Sequence, residues 1–173
     1  MISLLPAENA VWAEKVTQEA QRASQDNFAR LVQIGDTQLP TYHNIYVIPE
    51  EKYPISERNI RLDTLRSLLS EKWPEARKVE SGYSSHTEEL AGAFAFGAAH
   101  GGGAFYGSHK DGKVTSLHII RPSSNEPEAL QPFEAALARL GEQYNLILAD
   151  WWTATVVDLR DPESIRGYAV GES

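Results

Sequence analysis

The chain has no cysteine. Disulfides, thiolate zinc sites, iron–sulfur clusters and cysteine nucleophiles are thereby excluded. Basic side chains are also scarce: 16 Lys and Arg stand against 24 Asp and Glu, a formal net charge of −8. An acidic surface repels phosphate backbones, so nucleic acid is not the expected partner. The same field attracts and steers a basic protein. The opening Met1–Leu5 has no basic n-region and is too short for a signal-peptide core, so a cytoplasmic chain is expected. From Leu90 to His109 no Asp, Glu, Lys or Arg occurs, about the length of a transmembrane helix. Gly92, Gly97, Gly101, Gly102, Gly103 and Gly107 fall within that run. Glycine costs about 1 kcal/mol in a helix relative to alanine, so the run predicts a buried β-hairpin with a glycine turn.

What the chain does have is an ordinary globular composition, 42% apolar and 23% charged over 173 residues. That length fits a single domain, 1–173, able to withdraw roughly 70% of its unfolded surface from water. We expect an N-terminal helical segment over 1–35 and an α+β core over 44–170.

Pro6 suits a helix start, followed by Val11, Trp12, Val16, Ala20 and Ala23 at helical steps. Ser24 is placed to cap a second helical piece carrying Phe28, Leu31 and Val32, ending at Gly35. Asn44–Ile48 reads as a strand closed by Pro49. Ser56 opens an amphipathic helix with Ile60, Leu62, Leu65, Leu68 and Leu69, which Pro74 must end. A short strand is expected at Arg77–Glu80, then the glycine hairpin, an Asp111-Gly112 turn and a strand Val114–Ile120. Leu130, Phe133, Ala136, Leu137 and Leu140 mark a helix starting at Pro127 or Pro132. Leu146–Ala149 and Thr155–Leu159 read as paired strands, and Asp161-Pro162 caps a last helix. Strands and helices do not alternate strictly. The pattern predicts an α+β fold, an antiparallel or mixed sheet with helices packed mainly on one face.

Few strings carry chemistry. His100-Gly101-Gly102-Gly103 resembles the HGGG box of the hormone-sensitive-lipase group of α/β-hydrolases, where glycine amides form an oxyanion hole. No Gly-x-Ser-x-Gly elbow accompanies it; the nearest string, Gly82-Tyr83-Ser84-Ser85-His86, lacks the last glycine. His86-Thr87-Glu88 matches half of a zinc deaminase signature whose other half needs cysteine. The five histidines (43, 86, 100, 109 and 118) form no helical metal-binding pair. His100 and His109 are placed to approach across the hairpin but need a carboxylate from elsewhere. No phosphate loop is present. We therefore expect no cofactor and no metal. The enzymatic or ligand-binding alternative rests on the His100 turn, with His86 or Asp111 as polar partners.

The last quarter offers a different reading. From Glu126 to Ser173 nine acids stand against three arginines and no lysine. Adjacent Trp151 and Trp152 on a strand point to opposite faces, so one can enter the core while the other meets a partner. Acidic and one-domain, ending in Asp150-Trp-Trp-Thr-Ala-Thr-Val-Val-Asp-Leu-Arg-Asp161, the chain resembles the small immunity proteins of bacterial polymorphic-toxin and type VI secretion systems. The resemblance implies a non-catalytic inhibitor that binds a cognate toxin domain, here a basic one. Asp150, Trp151, Trp152, Asp158 and the pair Glu88/Glu89 are the expected contacts.

Overall fold

The computed structural model describes residues 1–34, 46–83, 86–97 and 101–171. Ile2–Pro6 forms strand β1, which lies inside the main sheet between strands drawn from much later in the sequence. This corrects the helical segment expected over 1–35, whose first residues are strand, while Pro6 itself stands at the N-cap of the helical turn that follows. Leu4 and Leu5 are both buried, one on each face of the sheet, so the run is apolar on consecutive residues and has no period-2 signature. After a short 3-10 turn, α1 runs without a break over Ala10–Ile34 and passes through Ser24, which therefore caps nothing. Among its described side chains, the buried ones, Ala13, Val16 and Thr17, lie in its first half.

A second 3-10 turn over Ile55–Arg58 leads to α2, Leu62–Leu69. Then follow β2 (Glu80–Tyr83), β3 (His86–Glu89), β4 (Ala93–Gly97), β5 (Ala104–Lys110) and β6 (Lys113–Ile120). The chain closes with α3 (Pro127–Tyr144), β7 (Leu146–Asp150), β8 (Thr155–Asp158) and α4 (Pro162–Val170). Six strands form one sheet in the order β4-β5-β6-β1-β7-β8, antiparallel at every contact, and β2-β3 is a separate two-stranded hairpin. The fold is the expected α+β class with an antiparallel sheet.

Several local expectations hold for physical reasons. Asp111 and Gly112 both take positive φ, 53° and 73°, which a two-residue hairpin turn requires. Asp161 caps α4 by accepting from the Glu163 amide at 3.1 Å, with Pro162 in the first turn. Of the two starts open to α3, Pro127 is the one used, and Pro132 sits inside the helix. Other expectations shift. Residues 77–79 are not strand, and pairing begins at Glu80. Of the strand expected over Asn44–Ile48, Asn44 and Ile45 lie outside the described residues, and 46–48 are not strand.

Two cores flank the sheet. On one face Leu4, Phe94, Phe96, Phe105, Leu117, Ile119 and Leu148 meet α2, α3 and α4. On the other, Leu5, Ile147 and Ala149 pack under α1, with Trp12 and Trp151 closing the edge. Three helices thus share one face, while α1 alone takes the β1-β7-β8 half of the other. Among the described residues no helix is long and apolar enough to cross a membrane.

Candidate functional site

The β7-β8 turn is gripped from both faces of the sheet. Strand alternation sends Asp150 toward the helix-rich face and Trp151 toward α1. Asp150 is 5% exposed, and its carboxylate accepts from the Tyr168 hydroxyl of α4 at 2.9 Å and from the Trp152 amide at 2.9 Å. Burial, then the Asp150 charge and hydrogen bond, push the Tyr168 phenol far above its ordinary range, so it stays a donor. Arg121 stands over the Tyr168 ring at 5.7 Å and lends a compensating positive charge.

On the other face the Trp151 ring meets Trp12 edge-on, centroids 6.0 Å apart, and its indole nitrogen donates to the Ser3 hydroxyl at 3.0 Å. The Trp151 amide donates to the Met1 carbonyl at 3.1 Å. Between these two clamps Trp152 is left 80% exposed. Ala154 takes positive φ (55°) to close the turn. Met1 and Ile120 are also exposed large apolar residues, and register places them on the same end of the sheet. The bonds at Asp150 and Trp151 fix the backbone that carries the indole, so covering the ring orders its side chain and not the turn.

Asp150, Trp151 and Trp152 therefore come together, but with divided roles. Asp150 is corrected from surface contact to internal brace, because a carboxylate with two protein donors and almost no exposure has nothing to offer a partner. Asp158 lies at the opposite end of the same hairpin, opposite Ile147. Its carboxylate is held by Arg160 through contacts of 2.7 and 3.0 Å, which hold it below the usual carboxylate range. Glu88 and Glu89 are exposed on the β2-β3 hairpin, which leads into the start of β4. That is the far edge and the far end of the sheet, about 20 Å or more from β7 at roughly 4.8 Å per strand. The six expected contacts do not form one surface.

The glycine turn has structural work of its own. His100 lies outside the described residues. The Gly101 carbonyl accepts from the Ser123 amide at 2.9 Å, and the Gly102 carbonyl from the buried Trp73 indole at 3.1 Å. Gly103 has φ 83°, and a Cβ there would stand 2.8 Å from the Ile120 carbonyl oxygen. These glycines fit the β4-β5 connection against β6 and Trp73. Asp111 is the first residue of the β5-β6 turn, at the other end of β5. His86 is exposed on the β2-β3 hairpin. Among the described residues no group of three or more His, Asp or Glu could hold a metal ion.

The sequence did not point to Ser3, Trp12 and Tyr168 as parts of this site. Trp12 reads as one more apolar residue on α1, and Tyr168 as one in a short helix. Only knowledge that Ile2–Pro6 is a strand would bring Ser3 beside the turn. No protein-family profile, curated protein or solved structure matches this chain.

Proposed function

We propose that this chain is a non-catalytic protein-binding inhibitor of the immunity type, acting in the cytoplasm on a basic toxin domain. In this reading the β7-β8 turn is the docking element and Trp152 its anchor. The observation that carries it is Trp152 at 80% exposure on a turn braced from both faces of the sheet. Covering an indole removes about 150–250 Å² from water, worth roughly 4–6 kcal/mol gross at about 25 cal/mol/Å² before ordering costs. Tryptophan is among the residues most enriched at interface hot spots. The net charge of −8 favours a cationic partner by long-range steering, since the turn itself is neutral apart from the buried Asp150. Glu88 and Glu89, at the opposite corner, contribute to that field and not to the contact.

The test is site-specific photo-cross-linking in cells of the source, with the reactive side chain at the exposed position 153 beside the retained Trp152, or at position 88. The reading expects one basic polypeptide joined from position 153 only, and loss of that adduct when Trp152→Ala is added. An equal adduct with and without Trp152→Ala, or no adduct from position 153, would overturn it.

A further inference from the structure

Beneath the docking turn runs a short hydrogen-bonded chain across three strands. The Trp151 indole nitrogen donates to Ser3 Oγ at 3.0 Å, and Ser3 Oγ lies 3.2 Å from His118 Nδ1. Ser3 is 4% exposed, so water is no substitute partner for its hydroxyl. An indole nitrogen only donates, so Ser3 Oγ accepts there and its one proton is available to His118. His118 Nδ1 accepts that proton in the neutral tautomer that carries its own hydrogen on Nε2, the tautomer on which the coupling rests. Protonated imidazole would present a second donor to Ser3 and leave the buried hydroxyl hydrogen without its acceptor.

We propose that Ser3 and His118 are positioning residues for the docking turn, and that a proton on His118 loosens the seat of Trp151 and so shifts the poise of Trp152. The coupling is a property of the free protein; its consequence for binding rests on Trp152 being the anchor. The groups facing His118 decide where it acts. The N-terminal ammonium, on β1, disfavours the charged ring, as burial does. Glu51, on the segment before α2, and the Ile2 carbonyl favour it. The Tyr106 ring of β5 lies 5.3 Å away as a neutral neighbour. Burial is the largest of these influences and the balance holds His118 below its ordinary value near 6.5. The seat is therefore intact at neutral pH and loosens on acidification.

The chain has four tryptophans, and their indole N–H signals can be followed by ¹H–¹⁵N NMR from about pH 8 to about pH 5, a range that brackets the ordinary histidine value. Trp151→Phe assigns its own signal, and the His118 ring carbon protons report its charge. The Trp151 signal should shift along the His118 titration curve, while the Trp73 signal, bonded to the Gly102 carbonyl, stays still. The shift should vanish in His118→Gln and in Ser3→Ala. A flat Trp151 signal through the His118 titration, the same curve in His118→Gln, or a His118 that stays neutral until the chain unfolds would each overturn the coupling. None of these readouts involves a partner, so failure of the docking reading would show separately, as unaltered capture by Trp152→Ala.

Discussion

Tyr168 donates its phenolic hydrogen to the Asp150 carboxylate across 2.9 Å, with both residues buried. This single bond ties α4, the last helix, to the strand end from which the β7-β8 turn springs. Because the same carboxylate accepts from the Trp152 amide, the two bonds form one unit. Tyr168→Phe removes one donor and leaves a buried charge under-satisfied, a loss expected at about 1–3 kcal/mol. Urea unfolding measures it. A double-mutant cycle with Asp150→Asn should give non-additive losses, because the second change removes the charge that the first one strands.

Tyr168 also has a predictable alkaline signature. Its phenol is held neutral well above the ordinary value near 10, so the unfolded chain loses that proton first as pH rises. The stabilisation is fully present below about pH 10 and falls away above it. The denaturation midpoint of wild type should therefore drop faster above that pH than that of Tyr168→Phe. Matching slopes for the two proteins would contradict the assignment.

Much of this fold was legible and some of it was not, for physical reasons that differ by element. The paired strands β7 and β8, the Asp111-Gly112 turn and the Asp161 cap announce themselves through local chemistry: β-branched runs, a positive-φ dipeptide, a side-chain oxygen before a proline. Strand β1 does not. Buried on both faces, Ile2–Pro6 carries no alternation, and five residues are too few to separate strand from helix. Missing β1 conceals the site as well, since Ser3, the seat of Trp151, reaches the turn across 148 positions of sequence. Adjacent tryptophans suggested one ring in and one out, and Trp152 is out. That Asp150 faces inward depended on Tyr168, a residue with no sequence signal for such a role.

Gly141 illustrates the same limit as a prediction. It lies within α3, where glycine is about 1 kcal/mol worse than alanine by helix propensity alone. A Cβ at this position would fall 2.2 Å from the Leu159 carbonyl oxygen and 2.5 Å from its Cβ, and the backbone atom cannot swing aside. Gly141→Ala should therefore destabilise by about 1–3 kcal/mol, the opposite sign to the propensity expectation. Thermal or urea unfolding decides it, and a stabilised variant would mean that α3 and the β8-α4 connection are less closely packed than described.

The two neighbouring tryptophans should separate stability from recognition. Trp151→Ala removes the edge-on contact with Trp12, the bond to Ser3 and a half-buried ring, which together should cost about 2–3 kcal/mol, less than the 3–5 of a fully buried tryptophan. Trp152→Ala removes a ring that is 80% exposed, and its effect on stability should stay within about 0.5 kcal/mol. For capture of a partner the order reverses. Under the proposed docking role, Trp152→Ala should lose at least tenfold in affinity, about 1.4 kcal/mol or more, because it removes the anchor. Trp151→Phe should keep most of the affinity, because the replacement still fills the seat against Trp12 and leaves Trp152 in place. Chemical denaturation and titration of the captured partner against the same three proteins measure both halves. If Trp152→Ala proved strongly destabilising instead, the indole would be serving the fold and the turn would lose its claim to be the docking element.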